Sequence, residues 1–545
     1  MAEMYRTFHR TARSFRLSSR VVVHVLLLLL ATPVIVFAQN DDDRAGMVPD
    51  EYAQPAELLA EEARRNPGNV AVQIEDSVAA GIATELPLWM HANRWGTFDT
   101  AGPQRATSAA VSQHFLLATP DFGGRVSASY HLLGLYRTPA DGSPAAELNT
   151  GYAALVWGQA TLAGGALPLE KGQVYGPLSS GSVVLSRNAR PIPRVYFGLD
   201  WIDVPLTDGA VEIKGSISHG WLEEDRTISN PWLHEKDAYA RLNDPFGWGL
   251  SVYRGLVQEV VWAGTRQDGT EQPDSWNDFW RVFRSEEGGE DATLSDQQNA
   301  LGDTLGMWDQ GIMLKRPSWE VTLYHQHFFE GGSGFEMGRR EDWEEKLKRL
   351  RDGLTGVHVG LPKLPYLDNI VYELLFTKHQ SGPGWHNTTG GWDSYYQHGQ
   401  YRSEWTFRGR MIGPPLIRIE GEGEDVDIVH NRVVANHLGI DGRITEDLRY
   451  RLLGTYSSNH GTYRGNTDGA NNPNLGQDPY GDDLEKDDIF LDGLGQWSLL
   501  AELDLDRNLF GVPSLYGSVA FGADFGDLRE DTSALMLAVG WRDVF

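Results

Sequence analysis

Eight side chains between Trp385 and Arg402 are of the types that recognise sugars: Trp385, His386, Trp392, Tyr395, Tyr396, His398, Tyr401 and Arg402. Flat aromatic faces pack against the C–H surfaces of a pyranose, while imidazole and guanidinium groups hydrogen-bond its hydroxyls. They fall within Val371 to Pro415, a polar stretch that also holds Trp405 and five glycines between Gly382 and Gly399. Such a composition suits a long excursion between two regular elements.

Other chemistries leave little trace. No G-x-S-x-G, P-loop, G-x-G-x-x-G or H-E-x-x-H pattern is present. The His234 and Glu235 pair lacks the second histidine of a zinc protease, and Asp504, Asp506 and Asn508 open like a calcium loop without its glycine and closing glutamate. Cysteine is absent, which removes thiol chemistry. No catalytic residue, metal ligand or cofactor site is assigned. Plentiful Ser and His leave a hydrolase as an alternative without a local signature.

The elements that would position these residues are strands. From Ser533 to Phe545, Leu535, Leu537, Val539 and Trp541 fall on one side and Ala538, Gly540 and Arg542 on the other. This period-two sorting sends apolar groups to lipid and small or polar ones to a lumen, because backbone polar groups in hydrocarbon must pair within a closed sheet. Val126 to Tyr136, Tyr152 to Val156, Trp319 to Leu323, Tyr450 to Tyr456, Trp497 to Leu505 and Leu515 to Phe525 repeat the pattern. Leu86, Leu88, Met90 and Ala92 are read as a further extended row, and Val195, Phe197, Leu199 and Trp201 as another lipid-side row after the bend at Pro191 and Pro193. The sum is an all-β fold, a transmembrane antiparallel barrel of some sixteen to eighteen strands over residues 81–545. In such a wall any single Trp or Tyr of the sugar-like set also fits an interfacial anchor. Arg187, Asn188 and Arg190 are expected to brace the interior, and Ser285 to Asp303 and Asn466 to Asp488 to form acidic loops. Arg340 to Asp352 has helical spacing, with acids first, bases last and Gly353 as a stop, and belongs in a loop or the lumen.

Residues 1–38 hold five arginines, an apolar run from Val21 and a small-residue exit, which predicts a signal peptide cleaved between Ala38 and Gln39. Residues 39–80 are expected to be a short periplasmic segment, partly helical or disordered. Without the leader the net charge moves from −28 to −32, with 42 Lys and Arg against 74 Asp and Glu, and nucleic acid is excluded as a partner.

Four stretches resemble the Wzi-type capsule assembly proteins of the bacterial outer membrane: Ser180 to Val195, Asp352 to Val357, Tyr372 to His386 and Gly399 to Leu416. The resemblance implies an eighteen-stranded, plugged barrel. It implies a surface lectin without an enzymatic step, retaining capsular or extracellular polysaccharide on the cell. Implied partners are that glycan, outer-membrane lipid with lipopolysaccharide, and the barrel-assembly machinery during export. A passive channel is the competing reading. An acidic glycan would be repelled at long range by so acidic a chain, so its contact needs local Arg or Lys groups or a bridging divalent cation.

Overall fold

The structure is a computed structural model, and it describes residues 67–117, 126–138, 145–289, 292, 300–330, 351–378, 380, 394–398, 400–403, 405–421, 423–462, 493–506, 509–512 and 514–545. Eighteen long strands form a single antiparallel sheet. In chain order they are β1 Val70–Gly81, β2 Gln104–Leu117, β3 Val126–Thr138, β4 Ala145–Trp157, β5 Ala160–Ala166 and β6 Pro193–Asp203. The wall continues with β7 Val211–Trp221, β8 Trp232–Leu242, β9 Leu250–Trp262, β10 Asp303–Arg316, β11 Trp319–Glu330 and β12 Gly353–Gly360. It ends with β13 Asn369–Phe376, β14 Val433–Arg443, β15 Leu448–Asn459, β16 Leu494–Leu505, β17 Leu515–Gly526 and β18 Thr532–Val544. Each strand pairs with its neighbour in sequence, and β1 pairs with β18 from Ala71↔Val544 to Gly81↔Ala534, which closes the barrel.

Side-chain alternation explains the closure. Along β18, Leu535, Leu537 and Val539 face outward and are exposed, while Ala534, Met536 and Ala538 are buried within. Ile74, Leu132, Leu155, Leu162, Phe197, Leu452 and Phe521 continue the apolar exterior around the wall. Trp157, Trp248, Trp319 and Tyr366 ring the end with short turns, and Tyr136, Trp221, Trp497 and Phe525 ring the end with long loops. Two aromatic girdles around an apolar band mark an outer-membrane barrel, with the long loops outside and the short turns in the periplasm.

Three sequence expectations change. The barrel starts at Val70, inside the stretch expected to be periplasmic. The outward Asp76 breaks the apolar row of β1, and Arg105 on β2 pairs with it through two hydrogen bonds of 2.8 Å. Leu86 to Ala92 is no strand; Leu88–His91 forms a short helix, α1, buried in the lumen. A bulge between Leu199 and Ile202 turns Trp201 away from lipid, so that the Arg241 guanidinium lies 4.2 Å from its ring centroid. A second helix, α2 (Trp276–Arg284), stands in the long loop between β9 and β10. The leader, nearly all of the helix expected over Arg340 to Asp352, and the Asn466 to Asp488 loop lie outside the described residues.

Candidate functional site

Chain segments from the long-loop end fill the lumen. Residues 82–103 carry α1, residues 167–192 run beneath the mouth, and 394–432 supply a third layer. Their apolar side chains, among them Trp89, Val183, Tyr396, Trp405 and Ile412, merge with the inward residues of the wall into one core. The segments are also keyed to the wall by polar groups. Glu373 on β13 accepts from Ser179 Oγ at 2.7 Å, Ser180 N and Oγ at 2.6 Å each, and Tyr324 OH at 2.6 Å. Trp89 Nε1 donates to Thr455 Oγ1 at 3.0 Å, and Leu88 N to Asp524 Oδ2 at 3.0 Å. The polar run expected to brace the interior does so: Arg187 pairs with Glu170 at 3.1 Å, Arg190 with Glu147 at 2.6 Å, and Asn188 Nδ2 donates to the Met411 carbonyl at 3.0 Å. Arg187 and Arg190 thereby each have a carboxylate partner, which is the condition for keeping a charge in a low-dielectric interior.

Above this plug the loops are stitched into one polar surface. Arg226 donates to the Ser403 carbonyl at 2.6 Å and the Thr406 carbonyl at 3.1 Å. Arg408 N donates to Glu223 Oε1 at 3.0 Å, Gln267 Nε2 to Glu424 Oε2 at 2.8 Å, and Gln397 Nε2 to the Ile428 carbonyl at 2.6 Å. Gln400 bonds Gln272. Arg402 and Arg408 are exposed there among Glu224, Asp225, Glu424 and Asp427. Arg408 sits at the tip of a tight hairpin, Thr406–Phe407 paired with Arg410–Met411. Its φ of 52° and that of Gly409, 72°, give the two-residue turn that such a hairpin needs. The mouth therefore offers cationic hydrogen-bond donors within an acidic frame.

The sugar-like residues divide. Tyr395, Tyr396 and Tyr401 are buried, with hydroxyls donated to Asp352 Oδ2 at 2.8 Å, the Val183 carbonyl at 2.6 Å and the Ala263 carbonyl at 3.3 Å. Their rings pack the plug and present no face to the mouth. Burial raises the Tyr396 phenol well above its ordinary range, with Glu330 adding to the effect. His398 is half-buried, its ring tilted against Tyr401 at 5.8 Å, and Arg402 is exposed. Trp385, His386 and Trp392 lie outside the described residues. Arg408, Gln267, Gln397 and Gln400 are the mouth residues that sequence reading misses. The Arg-Gly pair between Phe407 and Arg410 is the one local signal that pointed to a presented side chain.

These features define a class, an outer-membrane β-barrel whose lumen is filled by its own chain and whose long loops make a polar outer face. The family model for capsule assembly protein Wzi matches residues 99–451. The protein belongs to the Wzi capsule assembly family. In fold it is similar to Wzi of Escherichia coli, an outer membrane protein involved in group 1 capsule assembly and described as a carbohydrate-binding β-barrel. The identity is 14%, the TM-score 0.53, and the match covers 91% of this chain and 90% of that one. OccK5 of Pseudomonas aeruginosa gives 8% identity and a TM-score of 0.43, over 88% of this chain and 99% of that one. OccAB4 of Acinetobacter baumannii gives 9% and 0.41, over 88% and 98%. No curated protein sequence matches the chain.

Proposed function

We propose that this capsule assembly protein is a non-enzymatic surface lectin that holds capsular or extracellular polysaccharide at the mouth of its barrel. The observation that carries the reading is the pairing of a filled lumen with an outward face of Arg402, Arg408 and amide groups. A filled lumen favours retention over passage, and charge-assisted donors suit hydroxyls and uronate carboxylates. The E. coli relative, described as carbohydrate-binding, supports the same assignment. Outer-membrane lipid and lipopolysaccharide surround the wall, and the barrel-assembly machinery inserts it. Deleting the protein tests the reading. Capsule should appear in the medium while total polymer stays constant; unchanged surface retention would overturn it.

A further inference from the structure

One sector of the outer wall breaks the lipid-facing rule. On β7, β8 and β9 the outward positions near the long-loop end hold His219, His234, Lys236 and Gln258. Bare, these groups would face hydrocarbon or its boundary, where polar side chains are costly. They are covered instead. Phe279 of α2 stands 6.1 Å from the His219 ring and 5.4 Å from that of His234, Lys236 donates to the Phe283 carbonyl, and Gln258 Nε2 bonds Ser285 Oγ at 2.8 Å. Val282 joins Val260 and Trp262 in a small core separate from that of the lumen. Thus α2 lies outside the barrel, against its wall.

Its free surface is inverted for a helix in water. Trp276 is 72% exposed and Trp280 39%, one turn apart, and Trp276 is stacked on Phe279 at 5.1 Å. Asn277, Arg281 and Arg284 occupy the remaining sector. A Ser275–Asp278 capping box fixes where the helix begins. The height follows from the wall. His219, touched by Phe279, also meets Trp221 edge-on at 5.4 Å, and Trp221 belongs to the outer aromatic girdle and pairs across strands with Trp232. The exposed tryptophans thus continue an existing lipid-facing surface.

We propose that α2 is an interfacial anchor, lying in the outer leaflet with Trp276 and Trp280 at the acyl-chain boundary and its basic sector toward the lipid headgroups. An amphipathic helix with Trp and Phe on one side and Arg on the other is built for that plane. The anchor roofs the polar sector of wall and ties the loop after β9, which contributes Gln267 and Gln272 to the mouth, to the membrane surface.

The chain has no cysteine, so single labels are clean. Trp276→Cys, Trp280→Cys, Asn277→Cys and Leu537→Cys are spin-labelled one at a time. Each is reconstituted into phosphatidylethanolamine vesicles with and without lipopolysaccharide. Leu537 is exposed on the lipid-facing wall and gives the hydrocarbon reference. Accessibility is read with oxygen and with a water-soluble nickel chelate. Labels at 276 and 280 should shift toward the 537 reference, with oxygen favoured over nickel, and the label at 277 should stay on the aqueous side. If 276 and 280 match 277 in both vesicle types, α2 is a water-exposed helix and the proposal is wrong. A shift only with lipopolysaccharide assigns the contact to that lipid; a shift in both assigns it to acyl chains in general.

Discussion

Arg410 Nη1 lies 3.3 Å from His91 Nδ1 and 3.2 Å from the His91 carbonyl, joining the hairpin that carries Arg408 to the lumenal helix α1. The same guanidinium bonds the Phe98 carbonyl. Two segments more than three hundred residues apart in sequence are thereby locked together inside the barrel. Burial is the first cause holding His91 well below its ordinary value, and the nearby Arg410 charge is the second. A neutral imidazole is what this contact requires, since its ring nitrogen then accepts from the arginine. Burial also pushes Arg410 down to about 10, which leaves it charged at neutral pH.

From this follows a pH dependence of the plug. His91 is depressed, and His430 is lowered to about 4, chiefly by burial and then by Arg418. A group whose pKa is lower folded than unfolded binds fewer protons in the folded state, so stability rises with pH between the two values. The contribution is complete above about 6.5 and is lost as pH falls toward 4. Thermal unfolding of detergent-solubilised protein, followed by gel mobility, should therefore occur at lower temperature at pH 4.5 than at pH 7.5. An unchanged transition would show that these histidines are protonated in the fold.

Glu373 should hold the plug shut. Replacing it by Ala removes the acceptor for Ser179, Ser180 and Tyr324 at once, and each buried group left unpartnered costs about 1–3 kcal/mol. In planar bilayers the parent barrel should show little steady conductance, and Glu373→Ala should open frequently. Glu373→Gln keeps one amide oxygen as acceptor and should fall between them.

How far the sequence discloses these devices depends on whether a local rule decides the side chain's direction. The rows of β18 and β3 were legible because period two alone sorts lipid from lumen. Arg187 and Arg190 were legible as braces, since arginines in an otherwise barrel-like chain need interior partners. The first strand was not, because Asp76 interrupts its apolar row and the compensating Arg105 comes from the next strand. Leu86 to Ala92 misled because a short apolar run reads alike as strand or turn; its packing on Thr455 and Asp524 is tertiary. For Tyr395, Tyr396 and Tyr401, composition suggested sugar contact while the fold directs their rings inward.

That burial yields its own prediction. Tyr396→Phe keeps the ring and loses only the hydrogen bond to Val183, so stability should drop by about 1 kcal/mol with glycan binding unchanged. Tyr396→Ala leaves a cavity and should cost about 3–5 kcal/mol. Melting curves and binding isotherms on the same preparations separate the two effects. Weaker binding by the well-folded Phe variant would return Tyr396 to the ligand surface.

Arg402 and Arg408 should carry the contact with an acidic polysaccharide. Both are exposed at the mouth of a chain with net charge −28, so an anionic polymer that the protein as a whole repels is drawn in by local cations such as these. Long-range repulsion is screened by salt, and so are solvent-exposed ion pairs. The double variant Arg402→Ala/Arg408→Ala should lose roughly tenfold in affinity for a uronate-containing glycan. Each arginine changed to lysine should recover part of the loss, because charge is kept while the planar fork of donors is not. For a neutral glycan the double variant should differ less from the parent, because hydroxyls take hydrogen bonds but no ion pair. Glycan binding by refolded protein at two ionic strengths gives both readouts. Equal affinity of parent and double variant for the acidic polymer at both salt concentrations would move the binding surface away from this hairpin.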